Sequence, residues 1–535
     1  MLAPSAHVDT FTRDNLPPAD AWPPLRFDPA IFGSDHPYPD RCNAAVELLD
    51  GTIARFGADR RVLVFPGGQW TYGELRARVN RLANALVDDY GVVSGNRVLL
   101  RMPNNEWLVA AWLAVLKVGA VAVTSMPALR ALELRTVHEI AGITVSLVDH
   151  RFVTDWAGAG IRPGAVFGGG GDDDLLTRLD GYKDEFTAVE TSADDVAILA
   201  FTSGTTGRPK ATMHFHRDLL AVCDTFSAHV LKPTPDDLFV GSPPVGFTFG
   251  LGALVLFPMR VGAATLILER PTPDVLVPAI AEYGATVLST APTAYRAMLA
   301  MPNGDFRSLR RCVSAGEPLG LATWQAFFDR TGVKIIDGIG STEMLHIFIS
   351  SADDDIRPGS TGRPVPGYDA CILDDDGNEV PDGTLGRLAV RGPTGCRYLN
   401  DARQANYVQH GWNLTGDTYV RDADGYYWYQ ARNDDMIISA GFNIAGPEVE
   451  MALLGHPDVL ECAVVGAPDE QRTMVVHAFV VLRPGATVDA AALQEHCRRT
   501  IAPYKMPRVV EFIEALPRTT TGKVQRFRLR EMVGR

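Results

Sequence analysis

The sequence predicts an α/β protein in which a large N-terminal domain of βα-layered sheets carries a β-rich subdomain, with a small α+β C-terminal domain after it. Three changes of texture support this. From about residue 40 to 190, apolar helical segments alternate with short β-branched runs such as "RVLLRM" (97–102) and "ITVSLVD" (143–149), and a similar stretch runs from about 195 to 350. That alternation builds βα units around a mostly parallel sheet. The segment "CILDDDGNEVPDGTLGRLAVRG" then places strand-like pieces between Asp-Gly and Pro-Asp-Gly turns, the pattern of antiparallel β. After "ARNDDMIISAGFNI" comes a tail with its own apolar pieces, "ECAVVGA" and "HAFVVL", which sets the expected domains at 1–433 and 434–535.

Within this plan, residues 1 to about 40 are rich in Pro and Asp and read as an extended arm. The stretch "LVAAWLAVLKVGAVAVTSM" from Leu108 has the apolarity of a membrane span, but Lys117 sits at its centre and Gly119 divides a helical half from the β-rich "AVAVTS". A buried helix feeding a buried strand is expected there, and no membrane span. "GGGGDDD" (168–174) has no side-chain face to bury and reads as a mobile surface loop.

The chain has 535 residues, 46% hydrophobic and 21% charged, so it has the composition of a soluble globular protein with a sizeable core. A formal net charge of −14 disfavours nucleic acid and anionic membranes as partners, yet leaves small anionic ligands open, since a local loop can override the average field. Seven cysteines, an odd count with no CxxC pair, argue against a disulfide framework or zinc site and fit a reducing cytoplasm. The start lacks a basic stretch followed by an apolar run, so no signal peptide is expected. Composition leaves monomer and homodimer open.

The loop "FTSGTTGRPK" (201–210) concentrates glycines, hydroxyls and a lysine after the strand-like "VAILAFTS". Glycines let backbone N–H groups approach a ligand closely, hydroxyls add donors, and Lys210 adds a point charge, which together make a cradle for phosphate oxygens. A short Gly/Ser/Thr turn alone is more often only a turn. The length of this string and its Pro-Lys ending favour phosphate, although it is not a Walker A loop because Lys210 does not directly follow Gly207.

The string "TSGTTGRPK" resembles the phosphate loop of the acyl-adenylate-forming superfamily of acyl-CoA synthetases, peptide-synthetase adenylation domains and luciferase. Further pieces occur in that family's order: "SAGEPL" (314–319), "GIGSTE" (338–343), "GSTGRPVPG" (359–367), "TGD" (415–417), "ARNDDMI" (431–437) and "PRTTTGKVQR" (517–526). Around the acid pocket, "GFTFGLG" (246–252) and "GSTEMLHIF" (340–348) are similar to the benzoate-CoA and 2-aminobenzoate-CoA ligase branch.

The resemblance implies a reaction with ATP, Mg²⁺ and CoA. A carboxylate is converted to an acyl-AMP, and the thiol then displaces AMP. It assigns ATP and AMP binding to Thr202, Ser203, Gly204, Thr205, Thr206, Gly207, Lys210, Ala315, Gly316, Glu317, Asp417 and Arg432. Lys523 matches the lysine bridging carboxylate and α-phosphate, Thr342 the α-phosphate contact, and Glu343 the Mg²⁺-associated glutamate. Asp434 matches the hinge of a mobile small domain, and Gly441 the pantetheine tunnel. Two positions depart from the family: Ala431 stands where glycine is common and Ile438 where lysine is frequent. Arg472, Lys505 and Arg508 are the basic residues available in the tail for the CoA nucleotide.

By the same resemblance the acid sits near Phe247, Thr248, Phe249, Gly316, Gly340 and His346. Two phenylalanines offer flat walls for an aromatic ring, and Thr248 and His346 offer hydrogen bonds to an ortho substituent, though a histidine after "TEML" reads equally as a satisfied interior residue. The implied acid is 2-aminobenzoate or benzoate, with hydroxybenzoate behind them. An aryl-adenylating enzyme that loads a carrier protein, and a nucleotide-binding scaffold without catalysis, are the competing readings.

Overall fold

The computed structural model describes residues 3–161, 164–202, 208–317, 319–432, 436–517, 524 and 526–533. Among them four sheets are present. In the six-stranded sheet, strands Arg97–Arg101, Val121–Ser125, Val145–Asp149 and Ala165–Phe167 run parallel, as the βα alternation requires. Val196–Thr202 adds parallel to Val121–Ser125, and Lys210–Phe215 closes the edge antiparallel to it. The nine-stranded sheet has the parallel core Ile335–Gly340, Arg311–Ser314, Val287–Thr290, Leu238–Gly241, Ala264–Leu266 and Arg61–Phe65, with antiparallel strands at both ends.

The apolar stretch after Leu108 forms the helix Glu106–Lys117, capped by Asn105, and then the strand Val121–Ser125. Gly119 makes the turn between them at φ 72°, a backbone that a β-branched residue would strain. From Leu108 to Leu116 every side chain is buried, each large aliphatic one contributing about 1.5–3 kcal/mol. Lys117 is buried too, and its charge is met by Asp50 at 2.7 Å and Asn80 Oδ1 at 3.0 Å. Among the described residues no helix is long and apolar enough to cross a membrane.

The N-terminal arm is more structured than its composition suggests. It holds short helices at Phe11–Asp14 and Pro29–Phe32 and docks on the body, with Ser5 and the Ala6 N–H donating to Asp195, and Asp9 paired with Arg97. The "GGGGDDD" segment is exposed as expected except at its end. Asp174 is buried and accepts from the backbone N–H groups of Gly169, Gly170 and Leu176, so the segment is tied down by its last residue. All seven cysteines are free and buried.

Strands Asp369–Leu373, Leu385–Arg391, Trp412–Arg421 and Tyr427–Arg432 pair antiparallel in a five-stranded sheet, as the turn-rich segment predicts. Asp434, the expected boundary, lies outside the described residues. The strand ending at Arg432 belongs to that sheet, and Met436–Ser439 already pairs with Phe442–Ala445 and Thr473–Leu482 in another. This last sheet, with Val459–Asp469, Val509–Phe512 and the helices Gly446–Leu454 and Ala490–Thr500, encloses its own apolar cluster around Ile444, Val464, Val480 and Leu493. The chain is thus a large N-terminal α/β body with a small C-terminal one.

Candidate active site

The strand Val196–Thr202 is buried along most of its length and delivers Thr202 to the surface, opposite Lys210 on the antiparallel partner. Ser203, Gly204, Thr205, Thr206 and Gly207 lie outside the described residues. Lys210 extends its amine to the Tyr398 hydroxyl at 2.6 Å and to Glu343 Oε1 at 3.4 Å, over the Tyr398 ring at 4.5 Å from its centroid. Tyr398 in turn donates to Glu343 Oε1. Burial pushes the Glu343 carboxyl up, but Lys210 and the Tyr398 hydrogen bond outweigh it and hold the pKa below the usual value. The result is an ionised carboxylate inside the protein, kept so by one cation and one hydroxyl.

The turn that presents Glu343 is braced from below. The Thr342 carbonyl lies 2.8 Å from His214 Nε2, which therefore carries the proton and donates. His214 Nδ1 is 3.7 Å from Asp218, and Asp218 is salt-bridged to Arg397; all three side chains are fully buried. Ser341 adds a 3.1 Å contact with the Tyr407 hydroxyl, and Tyr407 packs edge-on against Tyr398 at 5.9 Å.

On the neighbouring sheet Asp417 stands directly opposite Arg432, so the two residues assigned to the nucleotide are cross-strand partners in the backbone. Gly416 before it, inside the strand Trp412–Arg421, has φ 80°, a backbone that favours glycine. Asp337, on the strand leading to Gly340, has its Oδ1 shielded from solvent without a hydrogen-bond partner. Burial pushes this carboxyl up to about 8, against smaller opposing effects from the Gly338 N–H and Ser314. It lines a cleft with Arg357, Gly359, Ser360 and Thr361.

Behind the Thr342–Glu343 turn lies an aromatic cage. His346 is 3% exposed and its ring sits 4.6 Å from Phe257, 5.2 Å from Phe226 and 5.7 Å from Phe249. Neither ring nitrogen makes a full hydrogen bond, although the Phe249 backbone comes close enough to oppose the effect of burial slightly. Burial drives its pKa down to about 3, so the imidazole is neutral. Phe247 precedes and Thr248 begins the short helix Thr248–Leu251, which carries Phe249 towards the cage. A Cβ at Gly252 would come within 2.4 Å of the His346 ring and one at Gly340 within 2.7 Å of its carbonyl oxygen, so both positions require glycine. A second cavity of about 420 Å³ under the arm, lined in part by Tyr38, Asp224 and Arg260, shares no residue with this site.

The AMP-binding enzyme family matches residues 49–398, and the AMP-binding enzyme C-terminal domain matches 448–523. The chain belongs to the AMP-binding enzyme family. It is similar to the benzoate–CoA ligase of Thauera aromatica, 36% identical over 92% of this chain and 96% of that one. A solved structure of the anthranilate CoA ligase AuaEII in complex with anthranoyl-AMP is 33% identical and superposes with a TM-score of 0.72, covering 93% of this chain and 98% of that one. The amide bond synthetase McbA from Marinactinospora thermotolerans is 28% identical with a TM-score of 0.84, covering 92% and 100%. As a member of this family, the protein is an acid–thiol ligase.

In this AMP-binding enzyme the structure brings Lys210 to Glu343, His346 to Phe249, Asp417 to Arg432 and Gly316 to Gly441. Ala315 and Glu317 are buried, and Gly316 between them has φ 91°, reachable without strain only by glycine. An ideal Cβ on Gly316 would lie 3.8 Å from the Gly441 carbonyl oxygen, and one on Gly441 would lie 3.2 Å from Ala291 Cβ, so the small body meets the large one here. Lys523 lies outside the described residues, and the Arg432 side chain does too. His346, left open between a contact to the acid and an interior role, is buried among the rings. One expectation is corrected. Lys505 is not available for a nucleotide, because its amine is buried between Glu133 and Glu448.

Sequence reasoning missed Tyr398, Tyr407, His214 and Asp337. Tyr398 follows a fully buried Arg397 in "CRYLND", a segment without any local signal of chemistry. His214 was visible in "PKATMHFHRD", four residues after Lys210, but its target is a carbonyl 128 positions away.

Proposed function

We propose that the protein is an aryl-CoA ligase that joins an aromatic carboxylic acid, 2-aminobenzoate or benzoate, to CoA through an acyl-AMP, releasing AMP and pyrophosphate. The observation that supports this is His346, a buried neutral imidazole without a full hydrogen bond among three phenylalanine rings, three residues after Glu343. Poorly paired buried polar atoms are costly, and a flat aromatic acid with a polar ring substituent would complete the imidazole's bonding while stacking on Phe249.

In the first step Lys210, Thr202 and the loop 203–207 hold the phosphates, and Thr342 contacts the α-phosphate. Lys523 offsets the charge that accumulates as the carboxylate oxygen attacks the α-phosphorus and pyrophosphate leaves. Asp417 accepts from the ribose hydroxyls, Arg432 reaches the same nucleotide, Ala315 and Glu317 border the base, and Asp337 accepts from its amino group. Among the described residues no cluster of three ligating side chains exists, so the protein offers Mg²⁺ the single hard carboxylate of Glu343, which fits a cation that arrives on ATP and keeps phosphate and water ligands. When bound, that ion neutralises phosphate charge. In the second step the small domain turns about Asp434, Lys523 withdraws, and the thiol passes Gly441 to reach the acyl carbon.

The acceptor has a second reading, favoured by the close superposition with an amide bond synthetase: an amine in place of the CoA thiol. ATP–pyrophosphate exchange over a panel of benzoates, 2-aminobenzoate and short fatty acids tests the first step. Adding CoA, a carrier protein or amines separately then assigns the acceptor. No exchange with any aromatic acid would overturn the proposal.

A further inference from the structure

Among the described residues, polar contacts between the large and small bodies gather at two places. The first is an ion bridge. Lys505 of the small body places its amine 2.7 Å from Glu133 Oε1, in the helix Ala131–Ala141 of the large body, and 2.6 Å from Glu448 Oε1, in its own. The side chains of Lys505, Glu133 and Glu448 are only 7%, 9% and 13% exposed. Lys505 keeps Glu448 as a partner within the small body, whereas its contact with Glu133 exists only across the junction. The bridge therefore forms only when the bodies are docked as seen here.

The second contact is at Thr473, in the turn that joins the long strands of the small body. Its hydroxyl lies 3.5 Å from Glu317 Oε2 and 3.3 Å from Arg296 Nη2, and Glu317 Oε2 also accepts from Thr293 at 2.7 Å. Thr473 has φ +67°, a backbone region that a β-branched residue occupies at a cost. The Ala440 N–H donates to the carbonyl of Arg472 at 3.1 Å, which ties this turn to the one holding Gly441. The strained residue thus fixes the segment that meets the acid pocket.

We propose that Glu133 and Thr473 are positioning residues for the acceptor step. Through Lys505 and Glu317 they dock the small domain with Gly441 against the pocket. The inference rests on the two-step reading above, in which Lys523 needs a different docking to promote adenylation. Both contacts must then break and re-form in each turnover, and weakening either one disfavours the acceptor posture without touching the reacting atoms.

The test separates the half-reactions. Glu133→Gln keeps an oxygen to accept from the Arg130 N–H, so the helix start is preserved while the ion pair across the junction is lost and Lys505 keeps Glu448. It should slow transfer from supplied acyl-AMP to CoA about ten-fold, with ATP–pyrophosphate exchange unchanged or faster. Thr473→Val should act in the same direction, and Thr473→Ser should retain wild-type transfer. Equal change in both half-reactions, or none in transfer, overturns the inference. If Glu133→Gln does not fold, the Thr473→Val and Thr473→Ser pair decides alone. A wild-type protein that fails one half-reaction outright would overturn the functional reading instead.

Discussion

Lys210 and Glu343 are 133 positions apart in sequence and 3.4 Å apart in space, joined through the hydroxyl of Tyr398. In the free protein the lysine serves as the carboxylate's counter-ion. On the function proposed above, ATP entering with its metal would give Glu343 another positive partner and release Lys210 to the phosphates.

Lys210→Met tests that exchange of partners. ATP–pyrophosphate exchange should fall by roughly 10²-fold, the order seen when one preorganised electrostatic contact is removed. Glu343 would also lose the strongest influence lowering its pKa, so the acidic limb of residual activity should move to higher pH. A pH–rate profile of the variant that is depressed uniformly, without a moved acidic limb, would show that Lys210 acts only on ATP.

Asp337 makes a prediction about stability. Its carboxyl is pushed up to about 8 by burial, while an unfolded aspartate titrates near ~3.9. Between these values the unfolded chain has released a proton that the folded one retains, so stability is lost as pH rises through this window and stays low above it. Asp337→Asn removes the titration. The variant should melt at a higher temperature than wild type at pH 8–9, with the difference vanishing near pH ~4, and calorimetry at the two pH values checks this. If the residue also accepts from the base, Asp337→Asn keeps an acceptor oxygen and should retain ATP binding, whereas Asp337→Leu should weaken it.

The fold was legible because its signals are local. Gly119 between "LAVLK" and "AVAVTS", and the Asp-Gly turns after Cys371, announce turns within a few residues of the elements they join. Lys210, Glu343 and Asp417 could be nominated from sequence because each sits in a short ordered string. What was not legible is made by contact between distant segments. Tyr398 acquires its role only because Thr212 and Tyr398 form an isolated bridge that brings it over Lys210. Lys505 looks like a solvated tail lysine until Glu133, 372 positions away, is laid against it. No period or spacing encodes such meetings.

His346→Leu addresses the acid. A site built to hydrogen-bond a substituent rejects the analogue lacking it, because its own polar atoms are otherwise left unpaired. Replacing the imidazole with an aliphatic group should cut kcat/KM for 2-aminobenzoate about ten-fold or more relative to benzoate. It should also raise the melting temperature, since a poorly paired buried imidazole disappears. Equal loss with both acids would place His346 in the scaffold of the pocket and return the choice of acid to Thr248 and the phenylalanines.

Lys523→Ala asks whether one residue serves one half-reaction. As the carboxylate approaches the α-phosphate two anions converge, and a cation between them matters only at that stage. On the two-step reading, thioester formation starts from a neutral acyl carbon and a thiol, after Lys523 has withdrawn. Adenylation should therefore fall by about 10²–10³-fold, while transfer from supplied acyl-AMP to CoA proceeds near the wild-type rate. Single-turnover measurements of AMP release and thioester appearance distinguish the steps. A variant in which both slow alike would mean that the lysine acts through folding or docking of the small domain, and the assignment of separate postures to the two reactions would have to be given up.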